Sequence, residues 1–557
     1  MAQAELIMDR GHDLIIMARE AVQAVEALLA DAGVTVRARV AVDRRIVDQL
    51  FLREQRAAHG LAWLATYVEA VRQLVAYAER MQEAERFGEI EEATLRIGLG
   101  EYLAQIFGGI PISQSEIVRP SDLGLDAAAV AARMSPVVAA LIESGNTAQR
   151  RARLVELICA QPDVPIGASF DESLAVIRDE MHHFNAGEIT PFAQAWHRAN
   201  AYIPLETIAI MSEIGVFGLT VPEAYGGMGL GKEAMCVVAE ELSRGCLAVG
   251  SLCTRSEIAA EMILASGTSE QQRRWLPRIA SGAVMPTAVF TEPDAGSDLA
   301  AIRTRAVRHG NVYKIYGNKT WITHPARADV MLILARTDPK ESGYRGLSML
   351  LAEKPRGTAE VPFPVAGLSG TEIEVLGYRG MKEFELAFDG FEVKAENLLG
   401  GIEGLGFKQL MQTMETARIQ TAARAVGVAL SAMDQAIGYA QLRVQFDTPI
   451  VRFPRVGDKI AMMAAEMLIS RELTYFAARQ KDSGRRCDLE AGMAKLLAAR
   501  NAWSAADNAV QIHGGTGFSV EHPVSRILCD ARVLSIFEGA AEIQAQIIAK
   551  RLIEGSN

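Results

Sequence analysis

The arrangement in this sequence with the clearest chemical use is a carboxylate followed by glycine and a long apolar run. In IFEGAAEIQAQIIAKRLIEG at 536–555, Glu538 and Gly539 stand directly before a predicted helix. In a dry pocket such a carboxylate is basic enough to take a weakly acidic proton from carbon, because desolvation disfavours its charged form. Backbone N–H groups at the helix start can bind negative charge that develops on a neighbouring oxygen. A glutamate there is also an ordinary surface residue suited to the helix dipole, so residue type alone leaves both readings open.

Other constellations could serve a ligand. TEPDAGSD at 291–298 sets the hydroxyls of Thr291 and Ser297 around Gly296, whose bare backbone lets a polyanion approach; a polar surface turn looks the same. Trp321-Ile322-Thr323 pairs a broad aromatic face with a small hydroxyl, which suits either a planar ring or a strand core. RVQF at 443–446 offers the charge of Arg443 and the ring of Phe446, while QIHGGTG at 511–517 offers Gln511 and Gly515. Each, standing alone, is an exposed arginine or a glycine helix cap. Glu415 and Arg418 in METARIQTAARAVG have the i,i+3 spacing of an ion pair on a helix face. None of the nine histidines belongs to a metal constellation: His182 and His183 are adjacent, and a loop separates His513 from His522, so no metal is expected.

The elements that must position these residues are mostly helices. Apolar residues recur at helical spacing in LAWLATYVEAVRQLVAYAERM at 61–81. Pro162, Pro165 and Gly167 then predict a linker over 159–173. Helical texture returns from about 174 to 284, bent by the glycine-rich loop at 221–233. Beyond Pro286, segments of strand length at 311–323, 328–336 and 384–393 predict a β domain, with Gly317-Asn318 and Asp389-Gly390 as turns. Long Ala-rich amphipathic runs follow, such as 415–443, and predict a helical bundle. The expected domains are an N-terminal helical extension (1–165), a helical domain (166–285), a β domain (286–400) and a C-terminal bundle (401–557). AQIFGGIPIS at 104–113 echoes VQIHGGTGFS at 510–519: either two glycine-containing helix ends coincide, or the N-terminal region is a degenerate copy of the bundle in which Pro111 stands for Gly517.

Composition bounds the function. A chain of 557 residues exceeds one core, and 50% apolar with only 6% aromatic residues favours packed helices over a β sandwich. The net charge of −11 argues against nucleic acid or an anionic membrane as a partner. The six cysteines form no CxxC pair and read as reduced, mostly buried thiols, which points to the cytoplasm. Charges interrupt the N-terminal apolar residues, and no run is long enough for a membrane span.

Taken in order, TEPDAGSD, Trp321-Ile322-Thr323, LGYRGMKEFELAFDGFEVKAENLLG at 376–400, RVQF, QIHGGTG and IFEG make the chain resemble the acyl-CoA dehydrogenase family over about 174–552. The resemblance implies a mainly α fold with a central β domain: a helical domain, a β-barrel-like domain and a C-terminal four-helix bundle, here with an extra N-terminal helical domain. It implies FAD as cofactor, with Thr291, Gly296 and Ser297 on its isoalloxazine and pyrophosphate and Ser297 also within reach of substrate. Trp321 and Ile322 would lie beside the flavin, with the Thr323 hydroxyl on the ring nitrogen that receives hydride. Arg443, Phe446, Gln511 and Gly515 would touch the FAD of a neighbouring subunit, implying a homo-oligomer, dimer or tetramer. Glu415 and Arg418 would hold the pantetheine arm and order the base. Glu538 would be that base, removing the α-proton as the β-hydrogen leaves as hydride, with its own backbone N–H and a flavin ribityl hydroxyl on the thioester oxygen. Electrons would pass to an electron-transferring flavoprotein. Ala540 departs from the pattern, since many relatives have threonine there.

The N-terminal extension makes the chain resemble the branch of that family that oxidises (2S)-methylsuccinyl-CoA to mesaconyl-CoA. Such a substrate carries a carboxylate on the carbon that loses hydride, so its pocket needs a cation or several donors. Arg255 in GSLCTRSEIAAEM is the candidate anchor, Arg244 is a rival, and a solvated helix arginine is the plain alternative. Another short-chain acyl-CoA as substrate, an oxidase on the same fold, and a non-catalytic assembly module are the alternative functions; retention of Glu538 argues against the last.

Overall fold

The computed structural model describes residues 2–43, 45–161 and 171–555. Residues 162–170 of the expected linker lie outside the described residues. The chain divides into two compact units: one comprises residues up to 176 with 421–480 and 485 onwards, the other 177–420 with 481–484.

The first unit is helical. Its N-terminal part runs helix Ala2–Val40, a hairpin of Ala41–Val42 with Arg45–Ile46, a short helix Asp48–Arg53, and the long helices Gln55–Glu83 and Glu89–Gly108. The C-terminal elements repeat this order: helix Gly406–Leu442, whose residues from Thr421 belong here, a hairpin of Val444–Gln445 with Thr448–Pro449, a 3-10 turn Ile450–Arg452, and helices Pro454–Asp482 and Asp488–His513. Helices Pro523–Val533 and Ala541–Glu554 complete the unit. The echo between 104–113 and 510–519 therefore falls at equivalent ends of two similar helical runs, which supports the degenerate-copy reading.

The two runs share a core with a polar centre. Tyr67 stacks on Tyr102 at 4.4 Å between centroids. Arg500 donates to the Tyr67 hydroxyl at 2.6 Å and pairs with Glu466 at 2.9 Å, while Asn501 donates to the Ser470 hydroxyl at 2.8 Å. Paired in this way, the buried charges avoid the several kcal/mol that an unpaired ion would cost. Close approach is set by Gly98, where a Cβ would meet Leu74 at 2.8 Å and Ile469 at 3.2 Å.

The second unit places helices Lys232–Gly245, Leu247–Ser266 and Ser269–Ala280 with a seven-stranded mixed sheet. The strand order is 368–373, 383–394, 312–323, 305–309, 330–336 and 286–289, with 347–353 pairing on 330–336. Strand Val330–Arg336 is buried on both faces, as its continuous apolar run requires. Leu332 and Leu334 pack with Trp275 and Leu276 of the helices; Met331 and Ile333 pack with Phe384, Phe388 and Phe391 on the opposite side.

The expected turns at Gly317-Asn318 and Asp389-Gly390 are absent, because both pairs lie inside the long antiparallel strands Val312–Thr323 and Glu383–Lys394. The glycines serve a bulge instead. The register shifts between Asp389 and Phe391, Gly390 has φ 75°, and a Cβ on Gly317 would meet the Thr304 Cα at 2.8 Å.

Candidate active site

Site residues fall in both units and are described unit by unit. In the sheet-containing unit, the register between strands 383–394 and 312–323 slips a second time. Ile322 faces Phe384 and Lys319 faces Leu386, so Thr320 and Trp321 share one position opposite. Trp321 takes up the slack with φ 57°, a conformation that costs a non-glycine residue roughly 1–2 kcal/mol. The bulge turns its ring outward, 58% exposed, between the buried Thr320 and Ile322. A large aromatic held exposed at the expense of backbone strain is a candidate for a ligand-facing position. Ile322 points into the sheet core and leaves only its backbone for a ligand. Thr323 is buried and donates to Glu383 Oε2 at 3.1 Å.

The TEPDAGSD turn is anchored from beneath by its own glutamate. Glu292 accepts from the backbone N–H of Arg303 at 2.8 Å and of Thr304 at 2.9 Å, and meets the buried Lys319 at 3.0 Å. Burial pushes the Lys319 ammonium down to about 8, with Glu292 acting in the opposite direction. The Thr291 carbonyl accepts from Thr320 N–H at 3.0 Å, which ties this turn to the Trp321 strand. Gly296 and Ser297 are left exposed, and a Cβ on Gly296 would meet nothing nearer than the Thr291 methyl at 3.8 Å.

Arg255 lies half-buried on helix Leu247–Ser266 and lines a small cavity, sized for about one water molecule, with Ser256, His324 and Met381. Its rival Arg244 faces Glu241 at 3.7 Å. Glu415 pairs with Lys481 at 2.9 Å, inside a network where Lys481 and Lys232 also meet Glu261; Arg418 is buried.

In the helical unit, Glu538 occupies the turn between helices Pro523–Val533 and Ala541–Glu554. It too has a left-handed backbone, φ 52°, followed by Gly539 at φ 93°. Lys495 donates to the Gly539 carbonyl at 2.6 Å and Gln544 to the Glu538 carbonyl at 3.3 Å, clamping the turn. The Glu538 side chain, 11% exposed, receives the Thr421 hydroxyl and Arg424 Nη2, the latter at 3.0 Å. Both groups donate to the carboxylate, and Arg424 Nη2 also donates to the Thr421 hydroxyl oxygen at 2.9 Å. Arg424 itself is fully buried and lies over the Phe537 ring at 5.0 Å. Neither Thr421 nor Arg424 was singled out from sequence; the available signal was a lone arginine in the apolar stretch TAARAVGVAL. Ala540 occupies the N-cap of the last helix and makes no side-chain cap bond.

RVQF and QIHGGTG are brought together in the same unit. Tyr439, on the helix that leads into Arg443, stacks on His513 at 4.2 Å and reaches the Thr516 hydroxyl at 3.4 Å. His513 and His522, separate in sequence, lie 4.4 Å apart. Phe446 and Asp447 form the hairpin turn with φ 50° and 55°, leaving Phe446 91% exposed. Arg443, Gln511 and Gly515 are exposed as well, with Phe518 beside the glycines. Among the described residues no group of three or more His, Cys, Asp or Glu side chains could hold a metal, and no single helix is long and apolar enough to cross a membrane.

Family models describing the acyl-CoA dehydrogenase N-terminal, middle and C-terminal domains match residues 171–283, 287–391 and 404–553 in turn. The chain belongs to the acyl-CoA dehydrogenase family. It is 56% identical to (2S)-methylsuccinyl-CoA dehydrogenase of Cereibacter sphaeroides over 544 residues, 97% of this chain and 98% of that one. Glutaryl-CoA dehydrogenase of Desulfococcus multivorans is 36% identical over 68% of this chain and 96% of its own. Among solved structures, butyryl-CoA dehydrogenase from Megasphaera elsdenii matches with a TM-score of 0.65 and 30% identity, covering 69% of this chain and 98% of that one. An acyl-CoA dehydrogenase is an oxidoreductase acting on CH–CH bonds of acyl-CoA thioesters. The family is FAD-dependent, commonly oligomeric, and uses an electron-transferring flavoprotein.

Proposed function

We propose that this acyl-CoA dehydrogenase converts (2S)-methylsuccinyl-CoA to mesaconyl-CoA, with Glu538 as the base. The observation that carries the substrate is the 97% coverage at 56% identity, which includes the N-terminal region that matches at 66–69% coverage leave out. The residues present suit FAD: an exposed tryptophan on a strained bulge, exposed Gly296 and Ser297 on a turn fixed from below, and the Thr323 hydroxyl. Thr291, Gly296, Ser297, Trp321, the Ile322 backbone and Thr323 would hold it in one subunit. The exposed Arg443, Phe446, Gln511 and Gly515 would reach the FAD of a second subunit, dimer or tetramer. When bound, the flavin supplies a hydride acceptor.

Within this reading, Glu538 removes the α-proton, and the Thr421 hydroxyl and Arg424 hold its carboxylate in one orientation until substrate arrives. The N–H groups at the start of the last helix stabilise negative charge on the thioester oxygen. Glu415 and Arg418 hold the pantetheine arm. Arg255 receives the substrate carboxylate; it lines a small, partly enclosed cavity with Ser256 and His324. The domains are 1–165, 166–285, 286–400 and 401–557, the enzyme is cytoplasmic, and electrons leave to an electron-transferring flavoprotein.

Anaerobic bleaching of the bound flavin by a panel of CoA thioesters tests the substrate. Methylsuccinyl-CoA should bleach it fastest, and a preference for fatty acyl-CoA would refute the dicarboxylate. Arg255→Leu should collapse the ratio of dicarboxylic to monocarboxylic turnover; an unchanged ratio rules this anchor out.

A further inference from the structure

Thr323 and Glu383 stand directly opposite each other on neighbouring strands, and the threonine hydroxyl donates to Glu383 Oε2 at 3.1 Å. Glu383 is only 6% exposed, and its other oxygen, Oε1, is buried with no hydrogen-bond partner among the described residues. On its far side the neighbouring strand offers only Ile373. The charge that acts on it comes from Arg255 on helix Leu247–Ser266. The adjacent Lys382 is held by Glu372 at 2.7 Å, and His324, next to Thr323, is kept neutral because burial pushes it down to about 4. Trp321, His324 and Lys382 all have left-handed backbones, so the strand ends around this pair are irregular and tightly specified.

A carboxyl group so deeply buried is an expensive place for a charge unless something uses it. A threonine hydroxyl has one proton to give. While Glu383 is ionised, Thr323 donates inward and can only accept from whatever lies outside. Once Glu383 is protonated, its own O–H can donate to Thr323 Oγ1, and Thr323 is free to donate outward. Resting on the reading of Thr323 as a flavin contact, we infer that Glu383 sets the direction of the Thr323 hydrogen bond and so whether this hydroxyl meets the cofactor edge as donor or as acceptor. An unprotonated ring nitrogen needs a donor; the same nitrogen carrying hydrogen needs an acceptor. Glu383 is thus a positioning residue that lets one hydroxyl serve both. Burial pushes its carboxyl up to about 7, with the Thr323 hydrogen bond and Arg255 acting the other way, so both states are within reach near neutrality.

The test is the midpoint potential of the bound flavin against pH in the full-length holoenzyme, for the wild type, Glu383→Gln and Thr323→Val. The wild-type curve should change slope near neutrality as Glu383 changes protonation state, and the change should vanish in Glu383→Gln, whose amide cannot ionise. A wild-type curve without that feature overturns the inference, even if the glutamine variant fails to fold. Superimposable wild-type and Glu383→Gln curves also overturn it. Thr323→Val separates the two layers. If it shifts the potential while Glu383→Gln does not, only the role of Glu383 falls. If it leaves both flavin absorbance and potential unmoved, the flavin contact itself is wrong.

Discussion

Two stretches of this chain have nearly the same construction and very different exposure. Residues 2–108 and 406–513 each run long helix, two-stranded hairpin, short helical turn, 29-residue helix, five-residue connection and helix, ending in paired glycines. In the first stretch the equivalent features are buried or blunted. The hairpin turn carries Asp43, Gln105 is tied to Tyr67 at 2.8 Å, and a Cβ on Gly109 would meet Ile117 at 2.9 Å. In the second, Phe446 is 91% exposed, Gln511 points to solvent, and a Cβ on Gly515 would meet nothing within 4 Å. The same scaffold is closed by packing in one place and left open in the other. What distinguishes a site here is the set of groups that packing has not consumed.

If that division is real, substitutions should separate chemistry from stability. Glu538→Gln should lower turnover by about 10²–10⁴-fold, the usual share of a general base, while leaving flavin content unchanged. Steady-state kinetics on flavin-matched samples checks this; full activity would remove Glu538 from its role. Trp63→Ala, in the packing stretch, should cost about 3–5 kcal/mol by leaving a cavity around a side chain that is 2% exposed. Turnover per bound flavin should not move. Denaturant unfolding beside flavin-normalised rates reads both, and a large rate effect at Trp63 would break the comparison.

The sequence was most legible where local chemistry and local structure coincide. Long apolar periodicities became long helices, and Glu538-Gly539 fell in the turn before the last helix, as its position implies. Trp321 was legible as a residue type, but its exposure comes from a register slip that depends on Phe384 and Leu386, more than 60 residues away. Gly317 and Gly390 looked like turns for the same reason: a glycine in a bulge and a glycine in a hairpin have the same local signature. Arg424 and Glu383 escaped notice because each acquires its partner only in the tertiary fold, Glu538 for the first and Thr323 for the second. Buried charge is visible in a sequence as a cation or carboxylate among apolar residues, yet its partner is not.

The glycines after the last long helix sharpen the comparison further. Gly517 has Pro111 as its counterpart, and the two stretches part there: Ile110–Pro111 pairs with Ile117–Val118 in a hairpin, whereas Gly514–Phe518 closes as a 3-10 turn. A Cβ on Gly517 would meet the Val510 carbonyl oxygen at 2.6 Å and His513 Cβ at 2.8 Å, with backbone as the obstacle. Gly517→Ala should therefore cost about 1–3 kcal/mol of stability. Gly515→Ala, in open space, should stay within about 0.5 kcal/mol of wild type yet weaken flavin retention. Thermal unfolding with a flavin-release assay distinguishes them; equal stability losses would mean that the open side of this turn is not reserved for a ligand.

The smallest expected effect is a pH dependence present at one glycine turn and missing at its counterpart. His513 and His522 are both held below the ordinary value of 6.5, chiefly by burial, with Tyr439 stacked on His513. Below 6.5 an unfolded chain protonates these rings more readily than the folded one, so their contribution to stability is complete above that pH and declines as pH falls below it. Phe107, at the position equivalent to His513, cannot titrate. His513→Phe should therefore reduce the loss of thermal stability between a pH above 6.5 and one below it. It should not abolish the loss, because His522 still titrates. An unchanged difference would mean that acid acts elsewhere in the fold, and that the stacked rings beside the glycine turn are passive filling, as the phenylalanine is in the other stretch.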